Sequence, residues 1–381
     1  MKRPSEFVTD SLLALPVGCI VALLWSNTAP ESYYRTSHAL AFIVNEVGLA
    51  FFLAIVFKEV VEATLPGGAL HPWRRAALPM VAALGGVAVP LAIYLWFLRF
   101  LGEPMLRTGW VVTCAVDIIA SYIIGRMIFG RRTEISFLLL LAISMNAIGI
   151  AVLAGWHPMG DARPLLGLTL MVAALGSAAF MRLRKVRHFW PYVLVSGVLS
   201  WWAFFVSGVH PALALIPIMA FMPHAARDAG LFVDRPPQAH DALTSFERWW
   251  RLPVQGVLLL FGLVNAGLPI HGNDAGMWAV PVAVLIGRPI GVALATVLGM
   301  AAGFHMPTHL GWRDITVIGF ISSVGLSMAL FFATASMPMG PVLLQLKGGA
   351  LLTVIGAGLA FGAARLLGVG RFAPPKRLPE A

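Results

Sequence analysis

Charged residues are scarce in this chain. They make up 12% of the 381 residues, whereas a soluble globular domain carries about 25%. Apolar and aromatic residues make up 59%, and the mean hydropathy is +0.84. A chain with so little charge cannot cover its surface with solvated groups. These values exclude a soluble domain and indicate an all-α polytopic membrane protein, whose helices satisfy their own backbone groups inside the bilayer.

Cysteine and the motifs of soluble enzymes are also scarce. The two cysteines, Cys19 and Cys114, lie in apolar runs, so we expect packing residues rather than a disulfide or a metal site. The sequence contains no Walker loop, no His-Glu-x-x-His motif and no nucleophile elbow. We therefore predict that the protein is not an enzyme and uses no cofactor. No cleavage pattern follows Met1–Phe7, so we expect no cleavable signal peptide.

Long apolar runs fill most of the chain. A helix needs about 20 apolar residues to cross the bilayer, and the length leaves room for about twelve spans. We predict a single transmembrane domain over residues 1–370 and a disordered cytoplasmic tail over residues 371–381. The predicted spans are residues 11–27, 41–64, 76–100, 109–127, 134–155, 164–181, 189–206, 208–222, 252–270, 276–301, 315–337 and 342–367.

The basic residues are distributed very unequally between the two sides of these spans. Of the 27 Lys and Arg residues, 20 fall in segments on the side of the N-terminus, and four fall on the other side, namely Arg35, Arg99, Arg107 and Arg163. The positive-inside rule then places both termini in the cytoplasm. The net charge of +10 is therefore a topology signal, and we expect the bilayer rather than nucleic acid as the partner.

The longest predicted loop covers residues 223–251. It contains the run Ser-Phe-Glu-Arg-Trp-Trp-Arg, whose Trp249 and Trp250 suit the level of the lipid headgroups. We expect this loop to end in a short interfacial helix.

Two charged residues lie in the middle of apolar runs. Asp117 is flanked by Val116 and Ile118, and Arg288 lies in the run AVPVAVLIGRPIGVALA. An ionised carboxylate costs at least ~3 kcal/mol at the bilayer centre, so each residue is a candidate functional site. Asn146 lies in the neighbouring span and can both donate and accept hydrogen bonds.

Two spans carry polar residues that indicate breaks in the helix. In the span 315–337, Ser322, Ser323 and Gly325 are placed where the backbone can unwind next to groups that satisfy it. In the span 109–127, Thr113 and Asp117 recur at a spacing of four, as does Ser121, so they share one inward face of a helix. Paired interrupted helices are the sequence sign of a transporter binding site.

Several further motifs occur in a characteristic order along residues 7–367. They are Phe51-Phe-Leu, Arg75–Pro90, Gly109-Trp110 with Asp117-Ile118, Ser207–Leu213, Phe261–Gly267, Gly287–Gly291 and Gly319–Phe332. Taken together they resemble the NhaA-type sodium/proton antiporters, a family with inverted repeats and two broken, crossing helices.

The resemblance implies a function in a bacterial inner membrane. Family members exchange Na⁺ or Li⁺ for protons, maintain pH and sodium balance, alternate access through a moving helix core and form homodimers. Asp117 matches the conserved Asp of the fourth helix. Asp117 is then the expected ion-binding residue, and Asn146 and Thr113 are expected to supply neutral oxygen ligands to the cation. A Na⁺ at Asp117 is the one expected metal. Arg288 is expected to take the place of the cation when the site is empty.

The departures from the family pattern concern the same site. The adjacent Asp pair of the fifth helix is replaced within the run Ala142–Gly149, where it falls on Asn146-Ala147 or on Met145-Asn146, and neither register leaves a carboxylate. The buried Lys of the tenth helix is Arg288, and a guanidinium stays charged and carries no proton. At most one proton can then be carried per cycle, by Asp117, which predicts weak or one-for-one exchange.

Three functions stay open on these residues. The first is cation/proton exchange at Asp117. The second is transport of a small anion that binds Arg288 and the positive ends of the broken helices. The third is a scaffold or sensor without transport that keeps the fold to hold a partner. Separately from these functions, Asp117 and Arg288 have a structural interpretation as an ion pair that holds two crossed helices.

The other polar residues have both a structural and a functional interpretation. Asn146 suits an interhelical hydrogen bond as well as a cation ligand, and Ser322 and Ser323 suit helix capping. Glu59, Glu62 and His210 are candidates for a pH response, although Lys58 is spaced to pair with Glu62 and His210 suits simple packing.

Overall fold

The computed structural model describes most of the chain. The described residues are 4–64, 73–102, 104–130, 133–156, 163–223, 241–269, 275–307, 310–338 and 340–373. Within these ranges the chain is helical, and no strand is present. The predicted all-α fold is therefore confirmed.

The helices follow the apolar runs of the sequence. The α-helices are α1 (Pro4–Thr28), α2 (Pro30–Phe42), α3 (Leu49–Thr64), α4 (Trp73–Leu101), α5 (Ile118–Phe129), α6 (Thr133–Trp156), α7 (Pro164–Leu183), α8 (Val198–Ser207), α9 (Leu215–Met219), α10 (Ala242–Asn265), α11 (Ala279–Ala301), α12 (Trp312–Ser322), α13 (Leu326–Ser336), α14 (Pro341–Leu352) and α15 (Ile355–Leu367). The described chain also contains two π turns, Ile43–Gly48 and Tyr192–Gly197. It contains four 3₁₀ segments as well: Pro104–Cys114, Pro211–Leu213, Ala275–Trp278 and Gly370–Phe372.

The described helices include six that are long and apolar enough to cross a membrane, or eight when each of two bent pairs counts as one span. Shorter apolar helices, Ala14–Thr28 and Tyr192–Ser207, come in addition to these. One predicted span, 208–222, differs from the structure, because it contains only the turn Pro211–Leu213 and α9. Five residues of α9 rise about 7.5 Å, which is far short of the roughly 30 Å of a hydrocarbon core.

The predicted interfacial helix before the ninth span is not a separate element. Residues 224–240 lie outside the described part, and α10 then begins at Ala242 and runs without a break through Trp249 and Trp250 to Asn265. Asp241 caps this helix by accepting a hydrogen bond from the Thr244 N–H at 2.6 Å. The Pro that follows the tryptophans, Pro253, lies inside the helix and does not end it.

The predicted tail begins inside the described part. Residues 370–372 form a short 3₁₀ turn after α15, and the rest of the tail, residues 374–381, lies outside the described residues.

Close packing of α4 on α11 sets the position of Arg288. A Cβ atom added at Gly85 would overlap the carbonyl oxygen of Gly291, and one added at Gly291 would overlap the carbonyl of Gly85. Two glycines that face each other allow helix backbones to approach closely in a membrane. Arg288 lies one turn before Gly291 on α11, so this contact presses its side chain into the protein, where it is fully buried.

The apolar core has two parts. The larger part surrounds the two bent pairs and includes Val112, Ile143 and Phe331. The smaller part joins α3, α7 and α9 to the beginning of α10, with Phe246 at its centre. The bent pairs, where the polar residues of the sequence meet, are therefore enclosed by apolar side chains.

Candidate functional site

Two broken spans meet in the core. The 3₁₀ helix Pro104–Cys114 and α5 form one span bent by 52°, and α12 and α13 form the other, bent by 50°. The two breaks contact each other directly, because the Asp117 N–H donates to the Val324 carbonyl at 2.8 Å. The two breaks predicted from Asp117 and from the Ser322–Gly325 run are thus confirmed. We call this place the crossing: residues 115–117 of the first break and 323–325 of the second.

Asp117 caps the beginnings of both helices that leave the crossing. Its Oδ1 accepts from the Ala120 N–H of α5 at 3.0 Å. Its Oδ2 accepts from the backbone N–H of Ser327 in α13 at 3.2 Å and from the Ser327 hydroxyl at 2.7 Å. A carboxylate at a helix N-terminus is stabilised by the free N–H groups and by the positive end of the helix dipole. Here one carboxylate serves two helix N-termini at once.

Arg288 makes the opposite contact at the ends of the two helices that enter the crossing. Its guanidinium donates to the carbonyls of Thr113 at 2.7 Å and Ala115 at 2.5 Å, and also to the carbonyl of Ser322. These carbonyls belong to the C-terminal ends of the 3₁₀ helix and of α12, where the dipole is negative. Its Nε is buried without a hydrogen-bond partner.

The ion pair between Asp117 and Arg288, which the sequence left open, is not formed. Within the part of the chain that the structure describes, the ion pairs join Lys58 to Glu247 and His210 to Glu46. Asp117 and Arg288 instead compensate the two positive and the two negative helix ends at the crossing. The physical reason is that broken helices present their own partial charges, and each side chain is nearer to these than to the other.

Asn146 holds the backbone of the first break. Its Oδ1 accepts from the Val116 N–H at 2.9 Å, and its Nδ2 donates to the Val116 carbonyl at 2.7 Å. The side chain therefore replaces the helical hydrogen bonds that Val116 lacks. Thr113 has a similar local role, since its hydroxyl donates to the Trp110 carbonyl at 2.7 Å.

The second break is stabilised by the residues that the sequence predicts. The Ser322 hydroxyl donates to the Gly319 carbonyl at 2.8 Å, and that of Ser323 donates to the Val284 carbonyl of α11 at 2.9 Å. Gly325 donates its N–H to the Thr353 hydroxyl at 3.2 Å.

The candidates for a pH response lie away from the crossing. Glu59 and Glu62 belong to α3, but their side chains lie outside the described ones. Lys58 contacts Glu247 of α10 at 2.7 Å and is fully buried. His210 caps the turn Pro211–Leu213, since its Nδ1 accepts from the Ala212 N–H at 3.2 Å.

One polar residue at these places, Glu46, was not singled out by sequence reasoning, and it lies beside His210. Ser327, which donates to Asp117, belongs to the same run as Ser322, Ser323 and Gly325 that indicated the break. Glu46 lies in an apolar stretch of the second predicted span, so its isolation in that stretch was the signal. Among the described residues, no three His, Cys, Asp or Glu side chains converge as a metal site.

Known proteins resemble the chain over nearly its full length. The family profile described as Na⁺/H⁺ antiporter 1 matches residues 9–366. The Na(+)/H(+) antiporter NhaA of Desulfitobacterium hafniense (strain DSM 10664 / DCB-2) is 36% identical over 379 residues, which cover 97% of both chains. The protein of the same name from Geobacter metallireducens is 36% identical over 383 residues, covering 97% of this chain and 100% of the relative.

A solved structure supports the same fold. The sodium proton antiporter MjNhaP1 from Methanocaldococcus jannaschii at pH 8 superposes with a TM-score of 0.58 and covers 93% of this chain and 92% of its own, at 14% identity. That identity shows a shared fold alone. The family match over residues 9–366 and the relatives at 36% identity decide the membership. The chain is a multi-pass membrane protein that belongs to the Na⁺/H⁺ antiporter 1 family.

Proposed function

We propose that this chain exchanges Na⁺ or Li⁺ for protons, with Asp117 as the single group that binds either ion. The observation that carries the proposal is the position of the Asp117 carboxylate at the crossing, between the N-termini of α5 and α13. Sodium is a small cation that prefers oxygen ligands, and a carboxylate binds it only when ionised. A proton and Na⁺ therefore compete for the same oxygens.

The hydrogen bonds of Asp117 leave room for such competition. An ionised carboxylate offers about four acceptor directions. Ala120 and Ser327 occupy three of these. The remaining direction can take a proton or a cation. Protonation of Asp117 neutralises the site and releases the cation.

The neighbouring side chains limit the stoichiometry to one proton. Arg288 carries its charge throughout the cycle, and three carbonyls hold its guanidinium in place. Asn146 is neutral and binds the backbone of Val116. One Na⁺ exchanged for one H⁺ moves no net charge across the membrane.

The first test uses purified protein in liposomes that contain a pH dye. A sodium gradient, and then a lithium gradient, should produce a saturable proton flux in the native protein and none in Asp117→Asn. Asn caps helices well, so this variant keeps the hydrogen bond to Ala120 while losing the charge. Asp241→Asn is the matched control, because Asp241 caps α10 through the same kind of hydrogen bond, away from the crossing.

A potassium diffusion potential sharpens the test. One-for-one exchange should proceed at the same rate whether the potential is zero, inside negative or inside positive. A strong dependence on the potential would contradict the proposed stoichiometry. Native protein that is folded and yet moves no protons over mild acid to mild alkaline pH would contradict the exchange itself and would favour anion transport at Arg288 or a scaffold role.

The remaining expectations concern the setting of the protein. We propose a bacterial inner membrane, both termini in the cytoplasm and a homodimer. The unequal distribution of Lys and Arg supports the orientation, and the family membership supports the other two.

A further inference from the structure

Two arginines meet at a cavity near the C-terminal end of α4. The cavity has a volume of about 470 Å³ and is lined by Leu95 and Arg99 of α4 and by Arg107 of the 3₁₀ helix Pro104–Cys114. We call it the arginine cavity. Both arginine side chains are exposed, and neither forms a hydrogen bond or an ion pair within the described part of the chain. They are two of the four basic residues on this side of the predicted spans, so they concentrate positive charge where the chain otherwise has little.

The two arginines lie at a similar depth in the bilayer. The residue before Arg288 packs closely against Pro90 of α4, and Arg99 follows Pro90 by nine residues, or about 13 Å of α-helix. Arg288 also donates to the Thr113 carbonyl, and Arg107 precedes Thr113 by six residues, or about 12 Å of 3₁₀ helix. Half of a hydrocarbon core measures about 15 Å. Long side chains that begin at these depths therefore place their guanidiniums at the level of the lipid headgroups.

The surface next to the arginine cavity is apolar. Trp96 is 63% exposed, Phe100 73% and Met105 71%. The rings of Trp96 and Phe100 contact each other edge-on, with 4.9 Å between their centroids. Tryptophan is enriched at the boundary between headgroups and hydrocarbon. A ligand that uses both surfaces therefore needs an anionic head for the guanidiniums and apolar chains for the aromatic residues beside them.

We propose that the arginine cavity binds the headgroup phosphate of an anionic phospholipid. A guanidinium can donate two parallel hydrogen bonds to phosphate oxygens, so Arg99 and Arg107 can hold one phosphate between them. The acyl chains then lie against Trp96 and Phe100. The cavity volume is within the range of about 300–1,000 Å³ that is usual for ligand pockets, which suits a phosphate with its glycerol. Inorganic phosphate carries the same charge but has no apolar part, so it would leave the apolar surface unused.

A lipid bound here would join two elements that contribute to the crossing. The helix α4 packs on α11, which carries the guanidinium of the crossing, and the 3₁₀ helix is the first half of a broken span. The Tyr94 hydroxyl links these two elements at the same end by donating to the Leu106 carbonyl at 2.6 Å. A phosphate between Arg99 and Arg107 adds a second link near this bond. Lipid binding does not require the proposed exchange, so the two can be tested separately.

Native mass spectrometry of the purified full chain tests the site directly. Protein in neutral detergent is titrated with phosphatidylglycerol, which is anionic, and with phosphatidylcholine of the same acyl chains, whose choline carries a positive charge. We expect the native protein to bind one phosphatidylglycerol per chain more tightly than phosphatidylcholine. The double variant Arg99→Gln/Arg107→Gln should lose this preference, with roughly tenfold weaker binding for each arginine removed.

Arg35→Gln/Arg163→Gln is the matched control. It removes the other two exposed arginines of the same side and leaves the arginine cavity unchanged, so lipid binding should match that of the native protein. Arg99→Lys/Arg107→Lys keeps both charges without the planar fork, so its affinity should be intermediate. Equal loss of lipid in the control variant, or equal binding of the two lipids by the native protein, would overturn the proposal.

Thermal unfolding distinguishes the lipid from a free anion. Phosphatidylglycerol should raise the unfolding temperature of the native protein, and should raise that of Arg99→Gln/Arg107→Gln less. Inorganic phosphate that raises the native temperature as much as the lipid does would overturn the assignment to a phospholipid. Native protein that binds phosphatidylglycerol selectively and yet moves no protons would contradict the proposed function alone.

Discussion

At the crossing, Asp117 accepts three hydrogen bonds and Arg288 donates to three carbonyls. At the Glu46–His210 contact, two acceptors face each other and the Glu46 Oε2 has no donor. Both places hold ionisable groups next to the apolar core, but Asp117 and Arg288 are buried whereas the Glu46 side chain is 19% exposed. At the crossing, the partial charges of the helix ends compensate Asp117 and Arg288. At the Glu46–His210 contact, no helix end compensates Glu46.

The difference shows which ionisable groups are compensated by helix ends and which are not. A helix end presents about half an elementary charge, so two N-termini offer Asp117 roughly one positive charge, and two C-termini offer Arg288 roughly one negative charge. Glu46 lies in the middle of a helical segment and receives no such compensation. The predictions below concern variants of Arg288 and Asn146 at the crossing, and then a variant of Trp201 next to Glu46.

The largest expected effect follows the removal of Arg288. Arg288→Ala would leave three buried carbonyls at two negative helix ends without a donor, which we expect to cost about 3–5 kcal/mol of the free energy of unfolding. The measurement is chemical unfolding in mixed micelles.

Arg288→Lys is the matched variant for this experiment. A Lys ammonium keeps the charge but loses the planar fork that reaches several carbonyls, so the loss should be smaller than for Ala. An Ala variant as stable as the native protein would show that Arg288 does not compensate the helix ends.

The sequence predicted the crossing better than its internal contacts. Asp117, Arg288 and the Ser322–Gly325 run identified both breaks, because isolated polar residues in apolar runs have few structural explanations. Whether Asp117 pairs with Arg288 stayed open, because the partial charges of helix ends appear only once the break geometry is known. Partial charges of this kind have no signature in residue type.

The limits of the span prediction have a similar cause. Hydropathy located the helical segments, but α9 is far shorter than the apolar run that contains it, and α10 continues through the predicted interfacial helix. An apolar composition indicates that a segment avoids water, but it does not indicate whether the segment contacts lipid or the rest of the protein. The Glu46–His210 contact joins residues 164 positions apart and could not be derived from one sequence.

A smaller effect should follow changes at Asn146. Asn146→Ala leaves the N–H and carbonyl of Val116 without their partners, which we expect to cost about 1–3 kcal/mol of unfolding free energy. Asn146→Asp keeps the oxygen that accepts from the Val116 N–H. It replaces the amide group that donates to the Val116 carbonyl with a second oxygen. The Asp variant should therefore lose stability as the pH rises, because the ionised carboxylate cannot donate. Thermal unfolding at mildly acid and alkaline pH measures this, and equal stability of all three proteins would exclude the proposed bracing of the break.

The smallest effect concerns the indole that holds the π turn. Trp201→Phe removes the N–H that donates to the Glu46 carbonyl and keeps most of the aromatic surface, so we expect a loss of about 0.5–1.5 kcal/mol. Chemical unfolding of the native and Phe proteins in mixed micelles measures this loss. A Phe variant as stable as the native protein would show that the indole N–H does not stabilise the π turn.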